Sequence, residues 1–302
     1  MLLKQNLTLY RVLKMTWKFD LLIISLCIAS YLIDKNFLKN IHIPPFLPTL
    51  AGTAIAFFIA FNNNQAYSRW WEARIIWGGL VNDSRSWARA VLAYTDESTN
   101  TEQLTATRKK LILRHIGFLY ALKDSLRRVR NEDYKKYMSA EEASAVAQYS
   151  NMPNAILDMQ ASDLMDLQQK QVVDGFRFLA LNDMIVNFCD GMGKSERINN
   201  TVFPTTYIYF TKLFTLLLVV MTTSTLAETI NGWSILFGWI IGFVFHATHV
   251  NGINIMNPFE LTPTCVPLNS IVRSIEINLL QAMGEKELPA PEPVSERGDY
   301  IL

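Results

Sequence analysis

From residue 43 to residue 68 the chain carries no Asp, Glu, Lys or Arg, and a helix of that length crosses a bilayer. A lipid anchor would be mostly Leu, Ile and Val. Here small or polar Thr49, Gly52, Thr53, Ala54, Ala56 and Ala60 alternate with bulky Phe57, Phe58 and Phe61. The run then passes through Asn62, Asn63, Asn64 and Gln65 into a charged aromatic cluster at 69–74. Thr53, Phe57 and Phe61 fall at i, i+4 and i+8, stacked along one helix face. A smooth uncharged stripe that ends in amides suits a helix facing something other than acyl chains, and it points to the lining of a pore. The competing reading is ordinary packing, since aromatic stripes at helical spacing are usually core.

Three further segments share this apolar character, and the 18 % of charged residues is below the roughly 25 % of soluble domains. The class is a polytopic membrane protein with a large water-exposed portion. A net charge of +1 gives no reason to expect nucleic acid as a partner. Cys27, Cys189 and Cys265 form no CxxC pair, so neither a disulfide framework nor a thiolate metal site is expected. No cleavable signal peptide is expected either, because the first apolar run lacks a small-residue cleavage site.

In chain order, residues 1–18 alternate basic Lys4, Arg11, Lys14 and Lys18 with Leu and Trp17, the pattern of an interfacial helix. Residues 19–67 hold the first two spans, at 19–33 and 43–67, and Asp20 implies that the first begins against protein rather than lipid. Pro44, Pro45 and Pro48 stand where a first helical turn tolerates them. Residues 68–204 read as a soluble helical region. The second span continues to about residue 94, an amphipathic helix with a basic, solvated side covers 101–130, and further helices cover 139–148 and 163–190. Ser139 with Glu142 three residues on makes a capping box. Residues 205–256 hold a third span ending near 227, a tight turn at 228–231, and a fourth span at about 232–250. Residues 257–302 form a polar tail with an extended end.

Four spans put both termini on one side. The basic N-terminus and the Arg/Lys-rich middle share that side, so the excess of positive charge places them in the cytoplasm. The expected location is the inner (plasma) membrane, with lipid as a partner.

His246 and His249, at i, i+3 in the fourth span, are the one hint of metal or cofactor binding, in a redox subunit. They lack a third ligand and no Glu-x-x-His occurs, so a packed, hydrogen-bonded pair fits better. No nucleophile–base pair or Gly-rich phosphate loop appears, which argues against an enzyme, and no cofactor or metal is expected. A non-conducting scaffold is the remaining alternative, although its second span would be lipid-like. Arg69, Glu72 and Arg74 read as salt bridges between subunits, with Trp70 and Trp71 at an interface with lipid or a neighbour. Asp190, Glu196 and Arg197 either tune a pore exit or pair with each other.

Phe57-x-x-x-Phe61 followed by Arg69-Trp70-Trp71-Glu72 resembles the bestrophin family, specifically its bacterial members. The proline-rich entry, Asn62-Asn63, Glu196-Arg197-Ile198 before Pro204, and Asn257-Pro258-Phe259 followed by Pro267-Leu268-Asn269 and Ile275-Glu276-Ile277-Asn278-Leu279 agree in order and spacing. The resemblance implies an all-α membrane protein with four transmembrane helices and a large helical cytosolic region, assembled as a homopentamer around one central pore. It implies a neck of Thr53, Phe57 and Phe61, with Asn62, Asn63 and Asn64 at its inner mouth, passing chloride or sodium and potassium. Most of the family has an aliphatic residue at the first neck position, so Thr53 should make the outer neck wetter. The cytosolic aperture, counted back from Pro204, falls at Ile185, with Met184 or Phe188 one slip or one turn away. Animal members bind calcium through an acidic run after Asn-Pro-Phe. Here Glu260 is the single carboxylate of that segment, against the six or more oxygens calcium takes, so no calcium gating is expected.

Overall fold

The computed structural model describes residues 9–37, 43–95, 101–295 and 300–302, and the helices among them are α1 Leu9–Phe37, α2 Phe46–Tyr94, α3 Thr101–Arg127, α4 Ala140–Val146, α5 Met152–Gln169, α6 Gly175–Asn200, α7 Thr205–Ile230, α8 Trp233–Met256 and α9 Leu268–Ala282. A 3₁₀ turn at Asp133–Tyr137 lies between α3 and α4. The described residues divide into two units. Helices α1, α7, α8 and α2 as far as Trp70 form one; the rest of α2, α3 to α6, and α9 form the other. α1, α2, α7 and α8 are long and apolar enough to cross a membrane.

The interfacial helix expected over 1–18 falls only partly within the described residues. Residues 1–8 lie outside the described residues, and from Leu9 a single helix runs through Lys18 to Phe37. With no Gly or Pro between 9 and 37, nothing in the backbone stops it. Asp20 is buried, as expected, and accepts a 2.6 Å hydrogen bond from the Thr16 hydroxyl.

Close approach builds the first unit. Buried Ser234, Gly238, Gly242 and His246 recur every four residues along α8. A β-carbon on Gly242 would sit 2.6 Å from Val219 Cγ2 and 3.0 Å from Ile23; one on Gly238 would meet Thr223 and Cys27. Glycine at these two positions lets α8 lie directly on α1 and α7, as small residues do between membrane helices. Ser30 and Ser224 add a 2.9 Å hydroxyl contact between α1 and α7. α2 joins through Ile55 and Ile59, packed with Leu218, Ile241 and Phe245.

In the second unit Trp77, Leu80 and Trp87 of α2 are buried, as are Leu111, Ile112, Ile116, Phe118 and Leu119 of α3 and Phe188 of α6. His115 is enclosed there, its ring centroid 4.1 Å from that of Phe188. Ser84 donates its proton to the Leu80 carbonyl, so the 2.8 Å contact between His115 Nε2 and Ser84 Oγ is best made by a donating Nε2–H. Burial drives the imidazole pKa down to about 3.

The basic side of α3 is less solvated than its pattern suggests. Arg114 and Lys123 are buried, because Arg114 pairs with Glu142 and Asp163 and Lys123 lies 3.5 Å from Asp124. Ser139 and Glu142 do form the capping box of α4. The single helix expected over 163–190 is two. α5 ends at Gln169, Gln171 takes a left-handed φ of 56°, and Asp174 caps α6 by accepting from the Phe176 and Arg177 amides at 2.9 Å. The tail expected to be polar also contains a helix, α9, whose Leu268, Ile271, Val272, Ile275 and Leu279 are buried. Glu276 lies among them and accepts from Tyr120 at 2.6 Å, from Tyr137, and from Arg273 at 2.9 Å. Burial and the neighbouring carboxylate push both phenol pKa values up. The extended end is tied to α9 by Asn269 to Glu292, 3.1 Å, and Ser270 N to Leu302 O, 2.9 Å.

Candidate functional site

α2 is built in one piece. Leu47 N bonds Pro44 O at 3.0 Å to close the entry turn, and Pro48 occupies the first helical turn, where no amide partner is required. At 1.5 Å per residue its 49 residues are more than twice what a hydrocarbon core of about 30 Å demands.

Two faces of the first half differ sharply. Ile55, Ile59, Asn62 and Ala66, spaced 4, 3 and 4, are buried within the unit. Thr53, Phe57 and Phe61 are exposed, Phe57 at 76 % and Phe61 at 47 %. A helix that buries Asn62 while leaving two phenylalanines uncovered has reserved that face for something outside its own chain. Thr53 donates its hydroxyl proton to the Thr49 carbonyl at 2.9 Å, and Thr49 does the same to Pro45 at 3.0 Å. The outward aspect of Thr53 is therefore a methyl group and oxygen lone pairs.

The three asparagines do not act together. Asn62 is buried, and Asn63 is half-buried with its Nδ2 donating to the Thr248 carbonyl of α8 at 3.0 Å. Asn64 alone is on the exposed side with the stripe. At about 100° per residue Asn62 points some 140° away from the mean of Thr53, Phe57 and Phe61, so of the three asparagines only Asn64 shares the stripe's side. That rotation was available in the sequence.

Ile185, expected at the cytosolic aperture, is 7 % exposed within the chain, and Leu181 and Phe188 of the same helix are buried. Met184 is half-buried and Val186 is exposed. Glu72 pairs with Arg197 of the same chain. Asp190 pairs with Lys194, Arg197 with Glu72, and Glu196 accepts from Asn151 at 2.9 Å, so Asp190, Glu196 and Arg197 each have a partner outside that trio. Trp70 stacks near Tyr67 with centroids 6.1 Å apart, Trp71 is exposed, and Arg69 and Arg74 are half-buried. Asn257 ends α8, Phe259 is buried, and Pro258 O accepts from Val266 N at 2.8 Å, closing the loop that holds Glu260.

His246 and His249 face different neighbours. His246 stacks on Phe19 of α1 with centroids 4.0 Å apart, whereas His249 turns to a cavity beside α2 and α7. Among the described residues no hydrogen bond joins the two, which corrects the expected pair, and no group of three His, Cys, Asp or Glu is placed to hold a metal.

The same order of elements is found in known proteins. A voltage-dependent anion channel-forming protein of Escherichia coli K12 is 27 % identical over 243 residues, covering 80 % of this chain and 78 % of that one. One from Nostoc is 23 % identical over 259 residues, covering 84 % of each. The crystal structure of a bacterial bestrophin homologue from Klebsiella pneumoniae superposes with a TM-score of 0.81 at 21 % identity, over 89 % of this chain and 98 % of the other. Residues 9–281 match the family model described as bacterial/fungal bestrophin protein. With that match running from the start of α1 into α9, the chain belongs to the bacterial/fungal bestrophin family.

Proposed function

We propose that this protein is a passive ion channel, not an enzyme, in which five copies place Thr53, Phe57 and Phe61 of α2 around one pore as its neck. The observation that carries the reading is the exposure of Phe57 and Phe61 on an uncharged face whose opposite side is packed into the chain. Rings of apolar side chains at a constriction gate by dewetting. Phenylalanine edges carry the positive part of the ring quadrupole and favour an anion crossing a dry passage. The anion channel-forming names of the relatives support the same sign, and small monovalent anions such as chloride are the proposed cargo. Asn64 is the proposed amide at the inner mouth. The basic N-terminus and the polar unit are proposed to face the cytoplasm of the inner membrane, with no calcium gate at the loop bearing Glu260.

The test is ion flux from liposomes holding the purified protein under separate chloride and potassium gradients. Chloride flux that rises in Phe57→Ala supports the neck. A wild type and mutant that both pass neither ion overturn it.

A further inference from the structure

Behind Phe61, on the packed side of α2, Asn62 and Asn63 share a small cavity with Tyr207 of α7 and with His249 and Ile253 of α8. Its volume of about 10 Å³ for water-sized centres is about that of a single water molecule. Asn62 is 6 % exposed and His249 is 4 % exposed. Both amide atoms of Asn62 and Nε2 of His249 are buried with no hydrogen-bond partner among the described residues. Buried polar atoms are nearly always satisfied. Here the two residues that carry three such atoms line one cavity.

We propose that this cavity is a hydration site, in which one water molecule bridges the Asn62 carboxamide of α2 to His249 Nε2 of α8. The donor set fits water. Asn62 brings one acceptor and two donor hydrogens, His249 brings either role according to its tautomer, and a buried water takes two to four such partners. No carboxylate or cationic side chain lines the cavity, so an ion there would lack compensation. The next residue, Asn63, bonds the Thr248 carbonyl directly at 3.0 Å. Segment 62–63 is thus held to α8 by one direct and one water-mediated link, immediately beside Phe61. Any effect on conduction rests on the pore reading; the hydration site itself does not.

The test is a structure of the whole protein in lipid nanodiscs at a resolution that shows ordered water. One peak per subunit, about 2.7–3.2 Å from both the Asn62 amide and His249 Nε2, is expected. No peak overturns the proposal, as does a peak ringed by five or six oxygens in cation geometry. A second measurement uses the thermal midpoints of Asn62→Leu, His249→Phe and the double variant. Loss of one shared water makes the double shift no larger than the greater single shift, and additive shifts overturn the bridge. His249→Gln, which keeps a hydrogen-bonding group at the site, should recover most of the midpoint lost in His249→Phe. If any variant fails to fold, the wild-type density decides alone. A wild type without ion flux overturns the pore reading and leaves these two readouts unchanged.

Discussion

The amide of Asn63 on α2 reaches the Thr248 carbonyl of α8 at 3.0 Å, and Gly252, one turn along α8, lies where any β-carbon would strike the Asn63 side chain. The hydrogen bond and the glycine are one device, since the first requires the close approach that the second permits. It fixes the rotation of α2, and with it which residues are left on the exposed face.

Gly252→Ala should therefore displace Asn63 and destabilise the protein by about 1–3 kcal/mol, the usual range for overpacking. In an Asn63→Ala background the same substitution should be milder, because its obstacle is gone. Thermal unfolding of the two single variants and the double variant measures the coupling.

Phe57 and Ile59 are two residues apart and should respond oppositely. Phe57, 76 % exposed in the chain, should become Ala with altered flux and nearly unchanged protomer folding. Ile59, 2 % exposed, should lose about 2–5 kcal/mol as Ala through the cavity it leaves. Flux and thermal midpoint, read on both variants, separate the two effects.

Thr53 has used its proton on Thr49, so it presents lone pairs to the stripe. Thr53→Val is nearly isosteric and removes only that oxygen. We expect lower ion flux with the thermal midpoint within about 1 °C of wild type, since an exposed substitution of this kind shifts stability by about 0.5 kcal/mol or less. Liposome flux checks it.

His115 should make the polar unit acid-sensitive. Its folded pKa is about 3 against the ordinary 6.5, so between these values the unfolded chain binds a proton that the folded chain does not. Its stabilisation is complete above about pH 6.5 and declines as pH falls toward 3, by up to about 1.4 kcal/mol per pH unit. In His115→Gln the acid slope of the unfolding free energy should fall by one proton, which chemical denaturation at several pH values reads directly.

Glu276 draws together two tyrosines and Arg273 in a buried site. Glu276→Leu leaves two hydroxyls and a guanidinium without their acceptor and should cost about 3–5 kcal/mol. Glu276→Gln keeps an acceptor and should cost less. Urea midpoints of the two variants order the effects.

The four spans, the continuity of α2 past the membrane and the capping of α4 by Ser139 were legible because each depends on local spacing or on an unbroken run. The break between α5 and α6 was not. Gln171 takes a positive φ without being Gly or Asn, and the only local sign was Asp174 ahead of Phe176, a cap that looks like any acidic residue in a helix. α9 lies in a segment whose proline-rich end makes it polar on average, although Ile271, Val272, Ile275 and Leu279 keep a helical period.

By itself the sequence determined that α2 crosses a bilayer with an uncharged stripe of Thr53, Phe57 and Phe61, because charge, length and a period of 3.6 are local properties. The tertiary structure decided what adjacent residues do. A helix turns about 100° per residue, so one step separates a buried Ile185 from an exposed Val186, and two separate the cavity-facing Asn62 from Asn64 on the stripe's side. Packing against α7 and α8, through Leu218, Thr248 and Gly252, fixes the rotation of α2, and burial of Leu181 and Phe188 in the other unit fixes that of α6.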